Sequence, residues 1–516
     1  MLAARRLVLI VAGLIAGPGA ALAVLGACSG SSGGTAPGSQ CGSGDAGFAA
    51  DGAVLTPCAW DQPVTQPSDK TAAAARGSCT YKRGDLPQAT LGPAALPADM
   101  PIDNIVVVMM ENHSFDSYLG HLNEYARRSD VEEADAGASN PAADGGAVPW
   151  THAAHLCTAD TNHEWAGTHQ EIDQGKMDGF VTTNSGWGAP DAGPDAAPPA
   201  PATAALYDGA RSMGFYDATD LPYYYALAST YAVADHYHCA LPGPTWPNRM
   251  YLISATSFGQ TTNGFPDLSA FPFPSQDASI LDELEKRHVT WQLYTDGLPG
   301  AGVVYSATLV SRWGRSNVKS SFPQFLADAK AGNLPQVSLV DPNLSSEVNG
   351  GGGTDEHPPG DIQSGEQFVS QVVAAVTTSP QWAHTALFIT HDENGGFYDH
   401  VAPPPACAPD GIQPILGAGD TTPGGFTEDG LRVVLIAVSP YARKSYVGHH
   451  VYDHTSIARF IEARFKLPAL TARDANAEPP TDLFDFSKPT FASPPALPAP
   501  AIDPAGLSYC EATFGK

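Results

Sequence analysis

Ala386-Leu387-Phe388-Ile389-Thr390-His391-Asp392-Glu393-Asn394-Gly395-Gly396-Phe397-Tyr398-Asp399-His400-Val401 is the stretch that decides the fold. Its opening residues form an apolar run that reads as a buried strand. Two adjacent carboxylates follow, then two glycines that turn the chain, then a second Asp-His pair. Acids at the end of a core strand are costly to bury unless something binds them, and the simplest binder is a cation. A second run, Asn104-Ile105-Val106-Val107-Val108-Met109-Met110, has the same form and spills into Glu111, Asn112 and His113. Two buried strands ending in acids predict a ligand site at the carboxyl edge of an open α/β sheet.

Working outward, further strand-like runs lie at Val289–Tyr294, Val337–Val340 and Val433–Val438. Phe368, Gln371, Val372, Ala375 and Val376 have helical spacing, as do Ile457, Phe460, Ile461, Arg464 and Phe465. Apolar strands alternating with amphipathic helices predict an α/β fold with a mostly parallel central sheet covered on both faces. The chain of 516 residues is ample for one large catalytic domain, expected over residues 99–488. Two Ala/Asp/Gly/Pro-rich inserts, 130–148 and 189–204, read as surface loops. Residues 489–516 read as a Pro/Ala-rich tail.

Arg5 and Arg6 precede an apolar stretch, Leu7 to Ala16, that is short for a membrane span. This is the pattern of an export signal over residues 1–27. Two processing sites compete. Ala21-Leu22-Ala23 is a small-residue cleavage signal, and Leu25-Gly26-Ala27-Cys28 resembles a bacterial lipobox. The expectation is therefore an exported protein, either anchored to the envelope by a lipid on Cys28 or secreted to the periplasm or beyond. Residues 28–98 read as a Gly/Ser/Pro-rich tether and a Cys-containing extension. Eight cysteines in an exported chain suggest disulfides, with connectivity open and one thiol left over if Cys28 is lipidated. The formal net charge of -28 argues against a nucleic-acid partner.

Three further segments carry chemistry. Gly243-Pro244-Thr245-Trp246-Pro247-Asn248-Arg249 reads as a rigid loop presenting Thr245. A hydroxyl near a cation is a usable nucleophile, and Asn248 or Arg249 would add donors for an anionic substrate. Taken alone, the segment reads first as a structural loop with Arg249 in a salt bridge. His357, after the glycine run Gly350 to Gly353, and His163, within Asp160-Thr161-Asn162-His163-Glu164-Trp165, are candidates to protonate a leaving oxygen. Asp453-His454-Thr455-Ser456 reads first as a helix cap, one that could also pack under the site.

Glu111-Asn112-His113-Ser114-Phe115-Asp116, Gly175-Lys176-Met177-Asp178-Gly179-Phe180, Gly243 to Arg249, Asp355-Glu356-His357-Pro358-Pro359 and Asp392 to Val401 resemble, in order, the motifs of the phosphoesterase family. That family holds bacterial and plant phospholipases C and a branch of acid phosphatases. The resemblance spans about residues 100 to 490 and implies the three-layer α/β/α alkaline-phosphatase-like fold. It implies a metal site at Glu111, Asn112, Asp392 and Glu393, with Asn112 also touching phosphate. It implies Thr245 as nucleophile and His163 and His357 in the phosphate pocket. The family usually has Tyr before the Asp-Glu pair, where this chain has His391; whether this histidine adds a donor or a further ligand is open at this point.

The expected function is a metal-dependent phospholipase C working through a phospho-threonine, with an acid phosphatase on phosphomonoesters as the alternative and a non-catalytic surface binding protein behind both. Oxygen-rich ligands favour Ca, Mg or Mn, with Zn possible. The expected partners are a phospholipid or phosphate-ester substrate and a membrane, reached through the anchor or the substrate. Trp165, Trp187, Tyr223, Tyr224, Tyr225 and Trp246 are candidates for an aromatic cage around a cationic head group.

Overall fold

The computed structural model describes residues 64–189, 201–264, 279–295, 316–318, 321–346 and 352–515. The expected leader, Cys28, Cys41, Cys58, the body of the 189–204 insert and the start of the Gly350–Gly353 run lie outside the described residues.

Seven strands form one sheet: β1 Asn104–Met110, β2 Ala232–Ala234, β3 Trp291–Thr295, β4 Val337–Asp341, β5 Thr385–His391, β6 Leu435–Val438 and β7 Tyr446–Gly448. Their spatial order is β7-β2-β6-β5-β1-β4-β3. Only β6 runs against its neighbours; the β1–β4, β1–β5, β2–β7 and β3–β4 pairs are parallel. The two strands that carry the acids are therefore central and adjacent, with Asn104 opposite Thr385 and Met110 opposite His391. Both are buried along their full length, which is why they read as unbroken apolar runs.

The helices that matter are α1 Trp165–Ile172, α2 Pro222–Thr230, α3 Thr245–Ser254, α4 Ile280–Lys286, α5 Phe322–Ala331, α6 Ile362–Thr377, α7 His454–Phe465 and α8 Pro504–Phe514. Alternation along β1 sorts six of them into two layers. Val106, Val108 and Met110 face a core with Tyr224 and Tyr225 of α2, Phe325 of α5, and Val369, Val372 and Val376 of α6. Ile105, Val107 and Met109 face a second core with Leu252 of α3, Leu281 of α4, and Ile457, Phe460 and Ile461 of α7. Each such side chain, fully buried, contributes roughly 1.5–3 kcal/mol. The result is a three-layer α/β/α architecture.

Asp453 caps α7 in a reciprocal box with Ser456, and Asp361 caps α6 through Gln363 N–H. Tyr223, Tyr224 and Tyr225 belong to the first core, Trp246 packs with Met250, Phe258 and Leu344, and Trp165 packs with Leu241, Tyr251 and Phe426. These candidates for an aromatic cage are spread over three separate apolar clusters, because helical and loop packing consume them. Of the six, Trp187 is the one with a substantially exposed ring.

The chain divides after Thr65, and residues 66–516 form one compact unit. Helix Asp69–Gly77 is held by a Cys79–Cys407 disulfide and by the Arg76–Glu478 ion pair. Within the tail, Asp503 caps α8, and Cys157–Cys510 fastens it. Cys239 is a buried free thiol. The 130–148 insert carries a small hairpin, Ser139–Pro141 with Ala147–Pro149. Among the described residues, no helix is long and apolar enough to cross a membrane.

Candidate active site

Chain geometry at the carboxyl ends of β1 and β5 brings the acids together. Asn112 adopts a left-handed backbone, φ +58°, a conformation that Asn tolerates better than most residues. Its N–H donates to Asp392 Oδ1 at 3.3 Å. Gly395, φ +65°, passes so close that a Cβ there would lie 2.2 Å from the Asn112 carbonyl oxygen. Glu393 turns back on its own loop and accepts from Gly395 N–H at 2.6 Å.

Thr245 opens α3 directly after Pro244. Its hydroxyl donates to Glu111 Oε2 at 3.2 Å, and the residue is buried. Four residues later, on the same helical face, Arg249 runs beneath the acids. Its guanidinium lies 2.5 Å from Glu111 Oε1, 2.8 Å from Asp392 Oδ2 and 3.7 Å from Asp341 Oδ1. It also donates to the carbonyls of Met109 and Met110. The substrate-facing place that the sequence suggested for Arg249 and Asn248 is not where these side chains lie. Arg249 is wholly buried among carboxylates, which hold its pKa above the usual guanidinium value against the opposing pull of burial. Asn248 spends its amide on Leu241, Gly243 and Pro244 and ties the loop ahead of Thr245.

By donor chemistry the acids suit a hard cation, while the ligand atoms that already converge at this edge are those of Asp160, His163 and His357. Glu111, Asp392, Glu393 and Asp341 are all buried, against the single Arg249 guanidinium. Burial, and next the Asp392 charge, push the Glu393 carboxyl well above the ordinary range. Asn112 Oδ1 and Glu393 Oε1 are buried without a hydrogen-bond partner. Orphaned oxygens in an electronegative, water-poor site are what a divalent ion satisfies.

His163 and His357 meet at the same edge, with ring centroids 5.5 Å apart, and with Asp160 they form a cluster able to hold a cation. Each presents Nδ1 to a backbone carbonyl, of Thr161 and Pro358 respectively. The Thr161 hydroxyl donates to the Gly395 carbonyl, so the His163 segment is joined to the acid loop. The second Asp-His pair of the motif has another fate. Asp399 and His400 join Asp116 around the buried Arg432, an internal cation at 2.9 Å from both carboxylates.

Sequence reasoning missed several supporting groups. His454 Nε2 contacts the Asp392 carbonyl at 2.6 Å, and its Nδ1 meets the Tyr237 hydroxyl. Glu171 on α1 accepts from Asn184 Nδ2 at 2.9 Å, behind the acid loop, where burial pushes its carboxyl up to about 8. The position of His454 at the first turn of a predicted helix was visible; its reach to Asp392 was not.

The profile of the phosphoesterase family matches residues 102–468. Phospholipase C B of Mycobacterium tuberculosis is 32% identical over 478 residues, covering 84% of this chain and 87% of that protein. Non-specific phospholipase C6 of Arabidopsis thaliana is 30% identical over 393 residues, covering 73% of this chain and 70% of that protein. Among solved structures, a protein in the alkaline phosphatase superfamily from Vibrio parahaemolyticus aligns with TM-score 0.31 at 9% identity, covering 69% and 77% of the two chains. On the family match and these identities, the chain belongs to the phosphoesterase family, enzymes that hydrolyse phosphoric ester bonds.

Proposed function

We propose that this protein is an exported, metal-dependent phospholipase C that cleaves phospholipid phosphodiesters through a phospho-threonine. The observation that carries the reading is the convergence of Thr245 with Glu111, Asp392 and Glu393 at one sheet edge. Glu111, Asn112, Asp392, Glu393 and the Thr245 oxygen would hold the ion, with Ca, Mg or Mn favoured by the all-oxygen set. When bound, such an ion supplies Lewis acidity and offsets developing negative charge.

The chain's own groups account for the proton and bond changes. Glu111 Oε2 already accepts the Thr245 hydroxyl hydrogen and is placed to take it. Thr245 Oγ1 then attacks phosphorus in line, forming one P–O bond as the bond to the diacylglycerol oxygen breaks. His357 or His163 delivers a proton to that departing oxygen. Water next attacks the phospho-threonine, releasing the phosphorylated head group and restoring the hydroxyl. Asn112 binds a phosphate oxygen through its amide, while Arg249 and Asn248 hold the acids and the Thr245 loop in place.

Export is supported by Arg5, Arg6 and the apolar run after them, and anchoring by Leu25-Gly26-Ala27-Cys28. Two disulfides suit an oxidising compartment.

Product analysis on phosphatidylcholine with purified, metal-replete protein tests the reading. Phosphocholine plus diacylglycerol, lost in Thr245→Ala, is the expected result. Inorganic phosphate from simple monoesters with no lipid cleavage would instead make the protein a phosphatase. A Thr245→Ala variant with full turnover would remove the covalent route.

A further inference from the structure

His391 and Glu356 meet in the buried layer behind the acid loop, with Nε2 and Oε2 2.7 Å apart and neither side chain exposed. His391 is the last residue of β5 and immediately precedes Asp392. Glu356 immediately precedes His357. One contact therefore joins the segment bearing the acids to the segment bearing a leaving-group histidine. We propose that His391 and Glu356 are a positioning pair that sets His357 against the departing oxygen, a role that rests on the phospholipase C reading.

The surroundings of Glu356 are built for placement. Its backbone is left-handed, φ +74°, a conformation uncommon for a residue with a side chain. Its side chain lies in a slot that exists because residue 365 of α6 is glycine. A Cβ at Gly365 would fall 2.1 Å from Glu356 Cγ. The other carboxylate oxygen accepts from the Tyr224 hydroxyl at 3.0 Å, so both ends of the group are fixed. The Tyr118 ring stands 4.9 Å from the His391 ring and limits its rotation. The same loop is bonded to the end of β1, where Glu111 N–H donates to the Asp355 carbonyl at 2.9 Å.

A buried hydrogen-bonded pair adds little net stability over apolar residues of the same volume, so stability alone is a poor reason for one here. What it supplies is a directional link between two loops. Reactions of this kind lose about a hundredfold in rate from a misplacement on the order of 1 Å.

The test compares two diesters with the same head group on metal-replete enzyme. Soluble dihexanoyl phosphatidylcholine releases an alkoxide that needs a proton. 4-Nitrophenyl phosphocholine releases a phenolate that does not. His391→Phe is expected to lower kcat on the first by about 10- to 100-fold with KM unchanged, and to leave the second within about threefold. His391→Gln, which keeps an N–H donor, is expected to restore most of the loss. Tyr224→Phe removes a single hydroxyl and serves if His391→Phe does not fold; its smaller loss is expected on the alkoxide substrate only. Equal losses on both substrates, or none on either, would overturn the positioning role. Wild-type protein that cleaves neither diester would overturn the phospholipase C reading and the pair's role together, a result distinct from a selective failure of the variants.

Discussion

Arg249→Met is the most informative single perturbation. Methionine keeps much of the stem volume and removes the guanidinium, which contacts Glu111, Asp392 and Asp341 from within a fully buried site. Removing one member of a buried ion pair costs about 3–5 kcal/mol, because the partner charges stay behind in a poor solvent. Here at least two carboxylates within 3 Å lose their counter-charge, which argues for the upper part of that range. Unfolding entropy of roughly 2 cal/mol/K per residue, taken over the compact unit 66–516, amounts to about 1 kcal/mol/K, so Tm should fall by roughly 3–5 °C in the chelated protein. A divalent ion replaces part of the missing positive charge. Adding it should therefore raise Tm more in the variant than in wild type. The assay is thermal unfolding by calorimetry with and without chelator, alongside turnover. A chelated variant melting within about 1 °C of wild type would refute the claim that Arg249 neutralises the acids. So would an ion-induced rise no larger than that of wild type.

Two other predictions follow from the same loops. Gly395→Ala places a Cβ against the Asn112 carbonyl at a left-handed position, so a loss of roughly 1–3 kcal/mol and impaired turnover are expected; unaltered melting and activity would show that the loops do not pack this closely. Glu171, raised to about 8 by burial, is protonated at neutral pH, and Glu171→Gln should match wild type there. Its folded pKa lies above the ordinary 4.5, so its contribution is complete below that value and is lost as pH rises through about 8. Urea unfolding at about pH 9 should therefore favour the glutamine variant, and an unchanged gap between about pH 6 and 9 would contradict the burial argument.

The central sheet was legible because β1 and β5 are buried on both faces and so lack any polar interruption until their ends. The acids that follow them were legible for the complementary reason: a polar group beyond a core strand demands a partner. Short strands were not. Ala232–Ala234 and Tyr446–Gly448 have three residues each, too few for periodicity to show. Helix α8 was passed over as part of a Pro/Ala-rich tail, although Asp503-Pro504 is a sound start signal. At the site, Thr245 and the acids could be named from their motifs. The surroundings of Arg249 required the structure: the segment suggested a salt bridge but not its partners, Glu111, Asp392 and Asp341, which a four-residue offset from Thr245 on a buried helix face brings within reach. His391 and Glu356 lie 35 residues apart, and nothing local announces their contact.

The two disulfides span 328 and 353 positions of the sequence. Cys79 and Cys157 thus emerge from a ribosome or translocon long before Cys407 and Cys510 exist to meet them. For the interval between, each early thiol is open to mispairing with the other, a hazard that native contacts cannot correct until the late partners arrive. Oxidative maturation is therefore tied to delivery of almost the whole polypeptide, and shortening the chain before Cys510 would strand Cys157 as a reactive thiol three residues from Asp160. Folding yield and thiol quality control, more than turnover, are where such a truncation would first be felt.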